Sequence, residues 1–91
     1  MTGVRRKGKV PRTETFTGSD CSGSDGETNR VLTLNNNMKT SEEIVLVQGA
    51  FLYPSQDYNI SHKSSNSEIT FLGPVWNSQK ILVKYFVPSP V

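Results

Sequence analysis

Cysteine, histidine and tryptophan are each present once, as Cys21, His62 and Trp76. A lone cysteine excludes an intrachain disulfide. With one histidine beside it, the chain falls short of the roughly four ligands that close a structural zinc site. Cys21 lies between Asp20 and Asp25 in a Gly/Ser-rich segment. That setting is the opposite of the electropositive one that activates a thiol, so Cys21 reads as inert. No apolar run approaches the ~20 residues that cross a bilayer. The basic start leads into Pro11-Arg12-Thr13-Glu14 rather than an apolar core, so the expectation is a chain with neither membrane helix nor signal peptide. Helical periodicity is also missing. Its one candidate is a turn over Met38 to Glu43, capped by Thr40 or Ser41 and favoured by Glu42 and Glu43 at its positive end.

Catalytic constellations are equally sparse. A hydrolase needs a nucleophile beside a base or two positioned carboxylates. His62 opens a stretch of Ser, Lys and Asn and reads as a solvated loop histidine. Asp20, Asp25 and Glu27 invite a calcium reading but lack the spacing of a calcium-binding loop. No glycine motif that cradles phosphate occurs. The expectation is a protein that is not an enzyme and carries no metal or cofactor.

Charge is unevenly placed. Arg5, Arg6, Lys7, Lys9 and Arg12 put five cations and no acid into the first twelve residues. After Arg12, five basic residues face eight acidic ones, leaving the body at −3 although the whole chain is +2. Attraction to an anionic partner therefore belongs to this arm. With Val4 and Val10 as its main apolar groups, the arm over residues 1–12 is expected to be disordered when free.

What the chain does have is period-two alternation. Strands are expected at Thr13–Thr17 (an edge), Arg30–Leu34, Glu43–Val47, Ala50–Leu52, Asp57–Ser61, Glu68–Phe71 and Lys80–Val87. Gln48-Gly49 forms a tight turn, and Gly73-Pro74 and Asn77-Ser78 form others. The unbroken apolar run Ile44–Val47 fits a strand covered on both sides. The last strand places Ile81, Val83 and Tyr85 on one face and the mixed set Lys80, Leu82, Lys84 and Phe86 on the other. About seven short strands predict an all-β fold, a small antiparallel β-sandwich or open barrel over residues 13–87, with a C-terminal tail at 88–91. Its expected core is Phe16, Leu32, Leu34, Val45, Val47, Phe51, Leu52, Tyr58, Ile60, Ile69, Phe71, Ile81, Val83 and Tyr85. A lone domain of this size buries only about 60–65% of its unfolded surface, which favours assembly with neighbours.

The series Ile44-Val45-Leu46-Val47-Gln48-Gly49, Asp57-Tyr58-Asn59-Ile60-Ser61, Ile69-Thr70-Phe71, Pro74 and Ile81-Leu82-Val83-Lys84-Tyr85-Phe86 resembles the small β module of tail-fibre, tail and other virion proteins of tailed bacteriophages. Gln48 stands where that pattern has Asn. The resemblance spans about Thr13 to Val87 and implies an oligomeric structural part of a virion, in the tail, at a fibre attachment or decorating the capsid. It would be made in the host cytoplasm, with tail, portal or capsid subunits as partners. In that setting Arg5, Arg6, Lys7, Lys9 and Arg12 are the expected docking cations. Tyr53 and Trp76, the aromatics beside Pro54 and Pro74, are the expected protein contacts. The alternative is a nucleic-acid-binding β-barrel that uses the basic arm on phosphates. A carbohydrate-binding module resting on Tyr53 and Trp76 is a third reading.

Overall fold

The structure, a computed structural model, describes residues 9–39 and 41–88. Seven strands run in the order β1 (Lys9–Thr17), β2 (Arg30–Thr33), β3 (Glu43–Val47), β4 (Ala50–Phe51), β5 (Tyr58–His62), β6 (Ser67–Phe71) and β7 (Lys80–Pro88). They form two antiparallel sheets, one ordered β1-β7-β3-β4 and the other β2-β6-β5. The fold is all-β, and the two sheets share one core, as a sandwich does.

The centre of each sheet shows why. On β7, Ile81, Val83, Tyr85 and Val87 alternate inward and are buried. On β6, Ser67, Ile69 and Phe71 do the same. Both strands are paired on two sides, so they carry the strictest alternation. Leu32, Leu34, Val45 and Tyr58 complete the inner layer, and Phe16, Val47, Leu52 and Ile60 pack around its rim.

Several expectations need correction. The basic arm gives way to structure earlier than Arg12: Lys9 to Arg12 pair with Tyr85 to Pro88 as the start of β1. A nine-residue partner on β7 holds these residues extended despite their weak apolar content. Arg5, Arg6 and Lys7 lie outside the described residues, as do the last three of the tail.

The helical turn expected from Met38 is absent among the described residues. Asn36 and the buried Ser67 clamp that segment against β6, with Ser67 N–H donating to Asn36 O and Met38 N–H donating to Ser67 Oγ. Met38 is then pressed fully into the core, which helix caps around it had no means to signal. Among the described residues the only helical turn is a short 3-10 piece at Gly18–Asp20, where Asp20 accepts from Thr17 N–H.

Phe51 was expected inside and is 65% exposed. It sits on a two-residue edge strand opposite Leu46, with its side chain on the outer face. Cys21, Met38, Val75 and Val87 take core positions instead.

The Gln48-Gly49 turn has positive φ at both residues, 53° and 80°, the hairpin geometry that matches strand twist. Gln48 replaces a better turn former by bonding across to β7. Its Oε1 accepts from Lys80 N–H at 2.6 Å and its own N–H donates to Lys80 O at 2.8 Å.

Arg30, read from sequence as an ordinary strand residue, is buried under the loops over residues 21–29 and 72–79. Its guanidinium donates to the carbonyls of Ser22, Val75 and Cys21 and to Asn77 Oδ1, at 2.7, 2.7, 3.3 and 2.8 Å. A buried charge is tolerable only when its donors are taken, and here loop oxygens take them. The same loops meet where Gly18 and Gly26 lie against Trp76. A Cβ on Gly18 would overlap the Trp76 carbonyl oxygen, and one on Gly26 would overlap its indole ring.

Candidate assembly interface

Antiparallel register determines what the outer face of the four-stranded sheet displays. Across that face Leu82 of β7 lies between Thr15 of β1 and Leu46 of β3, and Leu46 is itself opposite Phe51 of β4. One step along, Lys84 lies between Thr13 and Ile44, and Phe86 lies beside Pro11. Ile44, Phe51 and Phe86 are 47%, 65% and 43% exposed. The apolar residues thus form one patch, interrupted by Lys84 and bordered at one end by Lys80. Two open depressions border it. One of about 530 Å³ is lined by Thr15, Leu46 and Leu82 among others, and one of about 510 Å³ by Pro11, Ile44 and Phe86 among others.

Exposed apolar surface of this kind marks interaction sites in soluble proteins. The run Ile44–Val47 carries the composition of a strand covered on both sides, yet among the described residues its outer side is only partly covered, with Leu46 half-buried. Val45 is buried, whereas Ile44 faces solvent.

The residues expected to dock are distributed differently. Lys9 is on β1, with its Nζ 2.6 Å from Glu42 Oε1. Arg12 is exposed on β1 and opposite Tyr85. Tyr53 and Trp76 are exposed as expected, at 64% and 50%, but they belong to loops outside the strands of this face. Trp76 spends part of its ring on Gly26, a packing role. The patch itself was missed. Its strongest available signal was the mixed face of the last strand beside an unbroken apolar run.

Two tyrosines hold carboxylates at the margin of the core. Tyr58 OH donates to Glu43 Oε2 at 2.6 Å, linking the two sheets. Burial, the hydrogen bond and the charge of Glu43 push its phenol well above the ordinary tyrosine range. Tyr85 OH donates to Glu14, and Asn36 Nδ2 donates to Tyr85 OH at 3.1 Å. Burial first, then Glu14, raises the Tyr85 pKa to about 12.

His62 is half-buried at the end of β5 rather than solvated in a loop. Its Nδ1 is 2.9 Å from Ser67 Oγ and its Nε2 is 3.1 Å from Ser41 Oγ. The ring ties the segment before β3 to the β5–β6 hairpin. A hydroxyl behind the ring supplies none of the negative charge that stabilises an imidazolium in a serine hydrolase.

The carboxylates of the candidate calcium loop serve local bonds. Asp20 caps Thr17, Glu27 accepts from Ser24 N–H at 2.8 Å, and Asp25 accepts from Asn77 N–H at 2.6 Å. Among the described residues no group of three or more His, Cys, Asp or Glu is arranged to hold a metal ion. The Cys21 thiol is buried, and burial, with Asp20 adding to it and Arg30 opposing, raises its pKa.

Compared with known proteins, the chain matches no protein-family model, no curated protein and no solved structure.

Proposed function

We propose that this protein is a structural subunit that works by protein–protein assembly, and that its setting is the virion of a tailed bacteriophage. The observation that carries the assembly reading is the apolar face on which Ile44, Phe51 and Phe86 are exposed and Leu46 and Leu82 half-buried. A small domain in a chain of 91 residues, with one thin core, gains stability by covering such a face. The resemblance of the strand series supplies the virion setting. Arg5, Arg6 and Lys7, together with the exposed Arg12, then serve as an auxiliary cationic contact to the acidic surface of a neighbouring subunit. The working interface is the sheet face, and the protein performs no catalytic step.

The test is incorporation. Purified particles from an infected culture are analysed by mass spectrometry for the native chain, for Leu46→Lys with Phe51→Lys, and for a chain lacking residues 1–8. Deletion stops there because Lys9 onward belongs to β1. The native chain is expected in the particles, the face variant is expected to be lost from them, and the truncated chain is expected at reduced occupancy. Retention of the face variant at native occupancy contradicts the assembly reading. Absence of the native chain from particles, together with tight DNA binding that weakens steeply with salt, replaces it with a nucleic-acid function.

A further inference from the structure

We propose that β1 is a self-recognition edge, and that two copies of this chain join their four-stranded sheets through antiparallel β1–β1 pairing centred on Thr13. This stands apart from the virion reading and uses a different surface from the apolar face.

Two bonds define which way the main chain of β1 points. Gly18 N–H donates to Gln79 O, and Gln48 N–H donates to Lys80 O. Hydrogen-bonded pairs recur every second residue in an antiparallel ladder. Odd-numbered residues of β7 therefore bond to β1 and even-numbered ones to β3, given the registers. On β1 the even-numbered residues are turned to β7, and Pro11, Thr13 and Thr15 turn their main-chain groups outward. Pro11, which has no N–H to offer, falls on that outward side, as an edge strand requires.

The other sheet margins are short or dressed. β4 has two residues. Along β2, Ser22 exchanges bonds with Val31, donating its N–H to Val31 O and accepting from Val31 N–H. Beside β5, Ser55 N–H donates to Tyr58 O. β1 is a nine-residue edge, and among the described residues no hydrogen bond reaches the outward N–H groups of Thr13 and Thr15. Such an edge is a template for another strand.

Charge selects the register and the partner. Two copies pairing about Thr13 place Arg12 of each opposite Glu14 of the other and Val10 opposite Phe16. Thr13 bonds to Thr13 across the axis, and Thr15 N–H meets the carbonyl of Pro11. Moving the axis one residue sets Arg12 against Arg12 or Glu14 against Glu14, and like charges directly opposite repel. The same strand is thus complementary to itself in one register and self-repelling in those beside it. Joined this way, the two sheets become continuous and their apolar faces lie side by side.

The test uses the full chain. Sedimentation of the native protein over rising concentration is expected to show a monomer–dimer equilibrium. Arg12→Glu is expected to weaken it on the order of tenfold by setting like charges opposite. Because Cys21 is buried, a single exposed cysteine reports the register. Thr13→Cys is expected to form interchain disulfides far faster than Thr15→Cys, since only the former meets its own copy across the axis. Leu46→Lys is expected to leave that cross-linking unchanged. A native chain that stays monomeric at millimolar concentration overturns the proposal, as do equal cross-linking rates for the two cysteine variants. Loss of association in Leu46→Lys but not in Arg12→Glu also overturns it, by assigning self-association to the apolar face.

Discussion

The outer faces of the two sheets are built on opposite terms. On the three-stranded sheet the outward rows are Val31–Thr70–Asn59 and Thr33–Glu68–Ser61, nearly all polar. On the four-stranded sheet they run through Leu82, Leu46 and Phe51 and through Ile44 and Phe86. Both sheets cover the same core from opposite sides, so the core does not account for the difference. One sheet presents the composition of a surface that stays in water, the other that of a surface that is covered. The difference is one of placement: on the outer side of the four-stranded sheet the described residues leave apolar surface that the shared core does not take up.

The largest expected effects come from the inner side. Ile81→Ala, at a fully buried position on the central strand, is expected to cost about 2–5 kcal/mol in denaturant unfolding. Arg30→Met leaves the carbonyls of Cys21 and Ser22 without their guanidinium donor and is expected to cost about 2–4 kcal/mol. Its loops should also become accessible to protease.

A smaller effect depends on pH. The folded Tyr85 holds its proton to about 12 against an ordinary value of 10.0, so the folded state binds more protons above pH 10. The stability linked to this proton, through burial of the phenol first and its bond to Glu14 second, is complete below pH 10 and is lost as pH rises toward about 12. Tyr58 is shifted in the same direction. Denaturant unfolding across that range is expected to show falling stability, with a shallower fall in Tyr85→Phe and the shallowest in Tyr85→Phe with Tyr58→Phe.

The smallest effect on folding is expected on the outer faces. Leu46→Lys and Thr70→Lys should each change the stability of the isolated chain by about 0.5 kcal/mol or less. Only Leu46→Lys should affect assembly. A large loss of stability in Leu46→Lys alone would mean that the bare face is part of the fold, and the comparison would fail.

Sequence made the strands legible because alternation is a local property. Tyr58, Ile69, Phe71, Ile81 and Val83 all declare an inward face within a few residues. Pairing order is not local, and with it went the patch. Nothing near Ile44 or Leu82 states that β3 lies beside β7 in the register that joins them. Aromatics in strands read as core by default, which placed Phe51 inside although its strand is a short edge. Tyr53 and Trp76 were legible as exposed because prolines flank them. Arg30 was not legible as buried, because its partners are oxygens of two loops, one just before it in the chain and one, with Val75 and Asn77, far beyond it.

We propose that protein covers the outer face of the four-stranded sheet in the working state. This is tested most directly by carbene footprinting of the chain in its native assembly and after purification alone. Labelling of Ile44, Phe51 and Phe86 is expected to drop severalfold in the assembly, while labelling of Asn59, Ser61 and Thr70 stays the same. Equal labelling of Ile44, Phe51 and Phe86 in both states would contradict it.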